Sequence, residues 1–490
     1  MSHRVLAATV VFSGLAVVGG LVLKLGRRDH RLIHVLRTAL AVLLGAAFLA
    51  GCDWYTYGFD LHRSGENPLE NTIGVGNVSS LHRLWSRSLG GVIVGQPSVA
   101  AGVVINGTSY NVVYVGDEHG HFAAIDETSG SILWEHTLAT VTITGCTDVA
   151  GGVYGIGGAA LIDRGANRVF IAAGDGSVHA YDLATGAERA GWPVHVFDPT
   201  QVTSYGGITA DPGFNSLYVQ MASHCDFRPY HGGLAKVDVG SHSLITIFNP
   251  AGTFDGGGIW GPGGASYDPA TNHVFVATGN AFTTPESYGY SEHVVELDSN
   301  LNVVGANYPG LTGGDVDFGA TPIIYQAPGC PVQVAAENKS GVLVVYTQGQ
   351  LSAGPTQRLQ IADVNAQEFV GIPAYSASLR MLFVANTADS PGFSRGMVAL
   401  KVATNCQLTK VWNQTIGPNK TPTSPPTIAN GVVYYGDGVG GVEYAFNAST
   451  GAPLWNSGTQ IGGSIYAAPT VVNGELIVGD WNGVLYAFGP

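Results

Sequence analysis

The chain of 490 residues contains 70 glycines and 24 prolines, and only 11% of its residues are charged. Its formal net charge is −14, and residues 53–490 alone carry 15 basic against 34 acidic side chains. This charge repels a phosphate backbone, and no basic patch with interleaved aromatic residues offsets it, which argues against nucleic acid as a partner. Glycine and proline between short runs of Val, Ile, Tyr and Ala indicate many short β-strands joined by tight turns.

Two apolar segments open the chain. Residues 5–23 are about long enough to span a bilayer. Residues 39–50 are shorter, follow the basic Arg37 and run into Leu49-Ala50-Gly51-Cys52. This pattern resembles the lipobox of bacterial lipoproteins, in which a peptidase cuts before the cysteine and the thiol carries diacylglycerol. The resemblance implies an exported protein, tethered by lipid on Cys52 to a membrane of a bacterial cell envelope with its folded domain outside the cytoplasm.

We therefore assign residues 1–52 to a membrane-targeting leader with a lipoprotein signal peptide, and residues 53–490 to the folded domain. An ordinary secretory signal followed by a chance cysteine is the alternative. Because the leader is long for a signal peptide, translation starting near Val35 is a further hypothesis. If the upstream start is used instead, residues 5–23 are a candidate for an extra membrane helix.

Cysteine usage agrees with export. Apart from Cys52 the chain has Cys146, Cys225, Cys330 and Cys406. An even number of cysteines in an oxidising compartment predicts two disulfides, and of the three possible pairings we favour 146 with 225 and 330 with 406. No CxxC motif indicates a zinc or thioredoxin-like site, and no CxxCH motif indicates attachment of a c-type haem.

From about residue 85 onwards a unit recurs at intervals of about 40–60 residues, the spacing of propeller blades. Each unit has an apolar strand, a turn rich in Gly and Asp, an alternating strand such as His-Phe-Ala-Ala-Ile-Asp, a Ser/Thr-Gly turn and a tryptophan. The alternation predicts strands with one buried face, and the tryptophan is expected to wedge between neighbouring blades. The clearest copies are Val113–Trp134, Val169–Trp192 and Val433–Trp455.

These units resemble the repeats of the pyrroloquinoline quinone (PQQ) enzyme family, whose consensus reads roughly Ala-x-Asp-x-x-Thr-Gly-x-x-x-Trp. The resemblance covers nearly all of residues 54–490 and implies an all-β, eight-bladed β-propeller of the quinoprotein alcohol dehydrogenase type. The last repeat ends before any tryptophan, and the strand around Trp85 is available to complete it. N- and C-terminal strands are therefore expected to share one blade and close the ring. Seven blades with an N-terminal extension are the alternative.

The segment before the first blade also resembles quinoprotein alcohol dehydrogenases. In that family a Trp, an Arg, an Asn-Pro and an Asn-Val-x-x-Leu-x-x-x-Trp segment precede the first blade. The matching positions are Trp54, Arg63, Asn67-Pro68 and the segment from Asn77 to Trp85. This match is specific to quinoprotein-like chains rather than to propellers in general.

A central segment, Gly256–Pro285, resembles the family segment that supplies the ring stacked on the quinone and an Asn ligand of calcium. Trp260 falls at or close to the stacking tryptophan, and Asn280 matches the calcium-binding Asn, although the chain reads Ala-Thr-Gly-Asn there. A flat apolar ring suits a planar quinone, and hard oxygen ligands suit calcium, which polarises the quinone carbonyl.

Four further positions complete the predicted site. In the family an aspartate takes the proton of the alcohol, and Asp317 is the best match, with Asp315 in reserve. Lys339 corresponds to a basic residue that contacts the quinone oxygens. Asp317 and Asp226 are the candidate acidic ligands of calcium, although the family has a Glu where Asp226 stands. The adjacent cysteine pair that covers the quinone in many alcohol dehydrogenases is absent.

Each predicted site residue also has a structural interpretation. Trp260 can pack between blades, Asn280 can be a left-handed turn residue, Asp317 can begin a blade, and Lys339 can belong to a hairpin turn.

The resemblance implies two candidate functions. The first is a quinoprotein that oxidises an alcohol or sugar hydroxyl with PQQ and calcium and passes electrons to a separate acceptor. The second is a non-catalytic lipoprotein propeller that binds other envelope proteins as a scaffold.

Overall fold

Each group of apolar segments predicted from the sequence folds into an antiparallel sheet of four strands that pair through tight turns. The computed structural model describes residues 51–146, 149–312, 316–364, 371–418 and 424–490. Its eight four-stranded groups are the blades of a β-propeller, and residues Cys52–Pro490 form one compact unit. We label the strands of each blade A to D, from the buried inner strand to the outer strand.

The strands of the first four blades, in the order A to D, are Ser98–Ile105, Thr108–Gly116, His121–Asp126 and Ile132–Thr137; Leu161–Asp163, Arg168–Ala172, Ser177–Asp182 and Val194–His195; Thr209–Ala210, Ser216–Met221, Gly233–Asp238 and Ser243–Phe248; and Ser266–Asp268, His273–Ala277, Val294–Asp298 and Val303–Asn307. Those of blades 5 to 8 are Ile323–Tyr325, Gln333–Glu337, Val342–Thr347 and Gln357–Gln360; Ala374–Ser376, Met381–Asn386, Gly396–Val402 and Leu408–Thr415; Thr427–Ala429, Val432–Gly436, Glu443–Asn447 and Pro453–Asn456; and Thr470–Val472, Glu475–Gly479, Val484–Gly489 and His82–Ser88. Short elements outside the blades are the strands Glu66–Asn67, Val141–Thr142 and Val153–Tyr154 and the 3-10 turns Val78–Ser80, Ala150–Gly152, His224–Asp226 and Leu351–Ala353.

The ring closes in blade 8, where the two ends of the propeller meet. Strand His82–Ser88 pairs antiparallel with the C-terminal strand Val484–Gly489 and supplies the missing outer strand. The predicted eight blades and their closure are therefore confirmed, and the seven-bladed alternative is wrong. Closure removes two exposed strand edges that would otherwise pair with other chains.

The prediction of one buried face per strand is wrong for the inner strands. In strand C of blade 1, Phe122, Ala123, Ala124 and Ile125 are all fully buried. Neighbouring blades pack face to face, so both sides of this inner strand are covered, whereas the outer strand of blade 1 has only half-buried and exposed positions.

The tryptophan of each clear repeat lies against the next blade, as predicted. Trp134 donates its indole N–H to the carbonyl of Leu183 in blade 2, at 3.1 Å, and Trp455 donates to Leu81 at 2.9 Å. Trp192 instead meets His242 of blade 3 edge to face, with ring centroids 5.7 Å apart. A Cβ on Gly186 would lie 2.7 Å from the Trp134 ring, so the glycine of the Thr-Gly turn is required to seat the tryptophan of the preceding blade.

Hydroxyl groups near the centre connect neighbouring blades in the same direction around the ring. The donors lie at the start of strand A, and each acceptor is a carbonyl of the next blade. These bonds, which satisfy carbonyls that the short inner strands leave without a partner, run from Ser98 to Ala160, from Thr209 to Ala265, from Ser266 to Pro322, from Thr427 to Pro469 and from Thr470 to Pro97.

Residues 53–67, which we call the N-terminal strap, run around the inside of the ring and bind the innermost strand of every blade. Trp54 exchanges two backbone hydrogen bonds with blade 1, and Arg63 and Asn67 bind blades 3 and 8 through their side chains. The other contacts are made by strap carbonyls, which accept backbone N–H groups of blades 2, 4, 5, 6 and 7 from Ile162, Tyr267, Ile324, Tyr375 and Ile428. The segment that resembles quinoprotein dehydrogenases thus has a structural role.

The structure joins Cys146 to Cys225 and Cys330 to Cys406, with Cα atoms 5.4 and 5.6 Å apart, which is the predicted pairing. In the described ranges no helix is long and apolar enough to cross a membrane. The apolar residues 5–23 and the predicted signal before Gly51 lie outside those ranges.

The disulfide between blades 5 and 6 should contribute measurably to stability. It joins positions 76 residues apart, so its loss frees a long loop in the unfolded chain. We expect the variant with both Cys330→Ser and Cys406→Ser to lose about 2–4 kcal/mol of unfolding free energy in urea titrations. An unchanged urea midpoint would contradict this expectation.

Candidate functional site

The predicted site residues lie on one face of the propeller. The D-to-A connections between blades and the B-to-C turns within blades emerge at the same end, because the strands of each blade are antiparallel. Trp260 and Asp317 lie in the D-to-A connections that enter blades 4 and 5, whereas Asp226, Asn280 and Lys339 follow strand B of blades 3, 4 and 5. We call this end the top face; the five residues therefore gather over three adjacent blades.

Asp317 and Lys339 form a buried ion pair at the centre of this group. The two residues are 1% and 8% exposed, and Lys339 Nζ lies 2.8 Å from Asp317 Oδ1. The backbone N–H of Lys339 also donates to the carbonyl of Asp317 at 3.0 Å, so the hairpin turn of blade 5 is fixed against the connection before it. A charge-assisted pair at this distance and burial holds both side chains in one geometry.

Trp260 and Asp317 approach each other over Gly279. A Cβ built on Gly279 would lie 2.8 Å from Trp260 Nε1 and 2.9 Å from Asp317 Oδ2. A Cβ on Gly258 would lie 2.7 Å from the same indole nitrogen. The indole and the carboxylate therefore need glycine at both positions, which explains why this glycine-rich segment surrounds a tryptophan.

The candidate calcium ligands are more dispersed. Asn280 is half-buried, and its backbone carbonyl accepts the N–H of Gly257 at 2.8 Å. Asp226 is exposed, has a left-handed backbone with φ of 48°, and accepts the hydroxyl of Tyr230 at 3.0 Å. Asp315 lies outside the described residues. Among the side chains that the structure describes, no three from His, Cys, Asp and Glu form a group suited to a metal ion.

Tyr230 is a site residue that sequence reasoning missed. Burial raises the pKa of its phenol far above the ordinary value, and the nearby carboxylates of Asp226 and Asp317 raise the pKa further. The phenol therefore stays protonated and donates its O–H to Asp226. No motif surrounds this tyrosine, so only its position in the fold reveals it.

His224 is a second residue that the sequence did not reveal. Its ring lies 4.5 Å from that of Tyr154 and meets Trp260 edge to face, with centroids 6.4 Å apart. Burial lowers the pKa of His224 to about 4, so the imidazole is neutral at physiological pH, and Nδ1 lies 2.8 Å from Thr203 Oγ1.

A cavity of about 490 Å³ opens beside His224, between the connections that lead into blades 2 and 3 and the turn after strand B of blade 3. Cys225 follows His224 directly and ties this turn to Cys146 in the connection after blade 1. One side of the candidate site is therefore held in place by a covalent bond between two loops that are far apart in sequence.

The family model described as outer membrane protein assembly factor BamB matches residues 77–240 and 403–489, just over half of the chain. The chain belongs to this family of PQQ-repeat propellers. No curated protein sequence matches the chain significantly. The segment between the two matched ranges holds Trp260, Asn280, Asp317 and Lys339, so the family match supports the propeller and not these four positions.

Solved structures share the fold of this PQQ-repeat protein at low sequence identity. The quinohemoprotein alcohol dehydrogenase from Comamonas testosteroni has a TM-score of 0.65 at 16% identity, covering 89% of this chain and 80% of that one. A europium-containing methanol dehydrogenase has a TM-score of 0.66 at 16% identity, with coverage of 89% and 98%. BamB from Moraxella catarrhalis has a TM-score of 0.55 at 16% identity, with coverage of 84% and 100%. Enzymes and an assembly factor thus share this architecture.

The top face of this PQQ-repeat propeller also carries a protonated glutamate. Glu118 is 2% exposed, and burial next to Asp117 raises its pKa to about 8. Because the folded pKa lies above the unfolded value, its protonation stabilises the fold at low pH, and this contribution is lost as the pH rises through about 8.

We expect the unfolding free energy of the wild type to fall by roughly 1–2 kcal/mol between pH 7 and 9, and that of Glu118→Gln to fall less. Urea titrations at pH 6, 7, 8 and 9 measure this difference. Glu135→Gln, which alters an exposed acid on the outer strand of the same blade, should leave the pH profile unchanged. Parallel profiles for the wild type and Glu118→Gln would show that the glutamate is already ionised.

Proposed function

We propose that the protein is a quinoprotein dehydrogenase that binds PQQ on its top face and oxidises an alcohol or sugar hydroxyl. The observation that carries this proposal is that Trp260 and Asp317 meet beside Gly279 while Lys339 pairs with Asp317, in the order in which the family motifs occur along the chain. A flat aromatic ring, a carboxylate and a cation are the groups that a planar, oxygen-rich quinone and a hydroxyl substrate require.

Each residue has a defined task in this proposal. The indole of Trp260 would offer an apolar surface to the quinone ring, and the Lys339 ammonium, which pairs with Asp317, would donate to quinone oxygens. Asp317 Oδ2, which faces Gly279 and lies opposite the oxygen paired with Lys339, accepts the hydroxyl proton of the substrate. PQQ, when bound, would supply the acceptor for the hydride of the substrate carbon, and its electrons would pass to a separate acceptor.

The described residues fit calcium less well than they fit the quinone. Calcium takes six to eight oxygen ligands. Of the candidate oxygens, Asp317 Oδ1 is paired with the Lys339 ammonium and Asp226 Oδ1 accepts the hydroxyl of Tyr230. Two aspartates and Asn280 carry fewer side-chain oxygens than this number, and no step of the proposed reaction is assigned to calcium.

Direct titration with PQQ tests the proposal. We expect PQQ to bind the purified protein at micromolar concentration, to quench tryptophan fluorescence and to support dye-linked oxidation of alcohols or sugars. Lys339→Met should weaken PQQ binding at least 10-fold, whereas Lys410→Met, at an exposed lysine on blade 6, should not change it. Absence of PQQ binding at micromolar concentration, with and without added calcium, would overturn the enzyme proposal.

A protein-binding scaffold is the second candidate function. It is favoured by the matched family model, which is named for an outer membrane assembly factor, and by the buried ion pair that already occupies Asp317. In this case the purified protein binds no PQQ and instead retains specific envelope proteins after crosslinking in cells. The scaffold function would be supported if the protein retains a specific partner and a substitution on the top or bottom face abolishes that retention.

We also propose that lipid on Cys52 tethers the domain to an envelope membrane, with the top face directed away from that membrane. The backbone N–H of Cys52 donates to Asn473 Oδ1 at 2.7 Å, and Asn473 lies in the A-to-B turn of blade 8, at the end opposite to the top face. A lipid at this position holds the candidate site towards solvent.

Intact mass and fractionation test the anchor. We expect the mature protein to begin at Cys52 with a diacylglycerol adduct and to partition with membranes, and we expect Cys52→Ala to be released into the soluble fraction. A mature N-terminus upstream of Cys52 without lipid would contradict the anchor.

A further inference from the structure

The cavity beside His224 has a chemical character that differs from the surface around it. Its walls include the apolar side chains of Ile143, Val202 and Phe227, and its floor is the neutral imidazole of His224. Although acids outnumber bases in the chain by 35 to 21, no carboxylate is among the described residues that line it. Arg228 contributes a positively charged guanidinium to the lining. Hydroxyl and amide side chains of Thr142, Thr200, Gln201, Thr203 and Ser223 complete the lining. A partly apolar space with one cationic side chain suits an amphiphilic anion.

Arg228 is held in place at the mouth of this cavity. Its guanidinium lies 4.5 Å from the ring centroid of Phe282, and its Nε and Nη2 both donate to Asp255 Oδ2, at 3.3 and 3.2 Å. A guanidinium has five N–H donors, so these two bonds orient the group and leave donors for a bidentate carboxylate. Because the side chain of Arg228 is 53% exposed, a ligand can reach it without opening the fold.

The cavity walls are fixed before any ligand arrives. The short strands Val141–Thr142 and Val153–Tyr154 pair with each other, and the disulfide between Cys146 and Cys225 joins their loop to the turn that carries His224 and Arg228. Such preorganisation reduces the entropy lost on binding.

We propose that this cavity binds a small monocarboxylate with an apolar body. The carboxylate pairs with Arg228 at the mouth, and the body lies between Val202 and Phe227 above His224. This site adjoins the proposed quinone site through the contact of His224 with Trp260, but Trp260, Asp317 and Lys339 are not among the described residues that line the cavity. The proposal does not depend on PQQ binding.

Two probes of matched shape test the proposal. We expect the full-length protein, solubilised in detergent and without PQQ, to bind 2-naphthoate with a micromolar to submillimolar Kd, measured by calorimetry. Arg228→Gln should weaken the binding of 2-naphthoate at least 10-fold and change the Kd of the uncharged 2-naphthalenemethanol less than twofold. Thr142→Trp, which places a large ring at an exposed lining position, should block both probes.

Arg395→Gln is the matched control, since Arg395 is also a surface arginine paired with an aspartate, Asp389, at 2.8 Å, but lies on blade 6. It should leave both probes unaffected, as should Lys339→Met. The proposal is overturned if neither probe binds at millimolar concentration, if Arg228→Gln weakens both probes equally, or if PQQ displaces 2-naphthoate. If the protein binds 2-naphthoate but not PQQ, the proposed function is rejected and this site remains supported.

Discussion

Replacing Arg63 with methionine is expected to destabilise the propeller by about 4 kcal/mol or more. The guanidinium is fully buried in the N-terminal strap and donates to the hydroxyls of Thr56 and Thr209 and to the carbonyls of Tyr57 and Ala265. Burial lowers its pKa to about 10, so it remains charged at neutral pH. Methionine fills a similar volume but leaves these acceptors without their charged donor. Urea denaturation followed by tryptophan fluorescence measures the loss.

A surface arginine separates this effect from a general loss of charge. Arg395→Met removes an ion pair whose aspartate is 45% exposed, and it should cost about 1 kcal/mol or less. A similar small cost for Arg63→Met would mean that the strap does not hold the inner strands together. In that case deletion of residues 53–67 should also be tolerated, which we do not expect.

The blades could be predicted from the sequence because each repeat carries its own side-chain signature. The Thr-Gly turn and the tryptophan of Val169–Trp192 recur because a glycine must seat the tryptophan of the preceding blade. The strap could not be predicted in this way. Its contacts with blades 2, 4, 5, 6 and 7 are made by backbone carbonyls, which any residue supplies, so in the sequence the strap is marked by Trp54, Arg63 and Asn67, which resemble a family motif.

The candidate site was predictable only where its residues follow family motifs. The order of Trp260, Asp317 and Lys339 along the chain indicated a common site, and the structure places Trp260 and Asp317 beside Gly279 and pairs Lys339 with Asp317. The cavity beside His224 was missed because three segments far apart in sequence line it, near residues 142, 201 and 226. Apolar and hydroxyl side chains in short loops carry no periodic pattern, so their assembly depends on how the blades are arranged.

Asp317→Asn is expected to lower turnover about 10²–10⁴-fold if the carboxylate accepts the substrate proton. The same change also leaves the Lys339 ammonium without its buried partner, which should cost about 3–5 kcal/mol of unfolding free energy. Lys339→Met should cost a similar amount, because it leaves a carboxylate that is only 1% exposed. Steady-state kinetics with PQQ and urea titrations measure the two effects separately.

The double variant with both Asp317→Asn and Lys339→Met distinguishes a loss of base from a loss of fold. It removes both charges at once, so its loss of unfolding free energy should be well below the sum of the losses of the two single variants. Its turnover should nevertheless stay as low as that of Asp317→Asn, because the proton acceptor is missing. Recovery of turnover together with stability would show that Asp317 acts only through the ion pair. Additive stability losses would contradict the coupling that we expect from the 2.8 Å contact between Lys339 Nζ and Asp317 Oδ1.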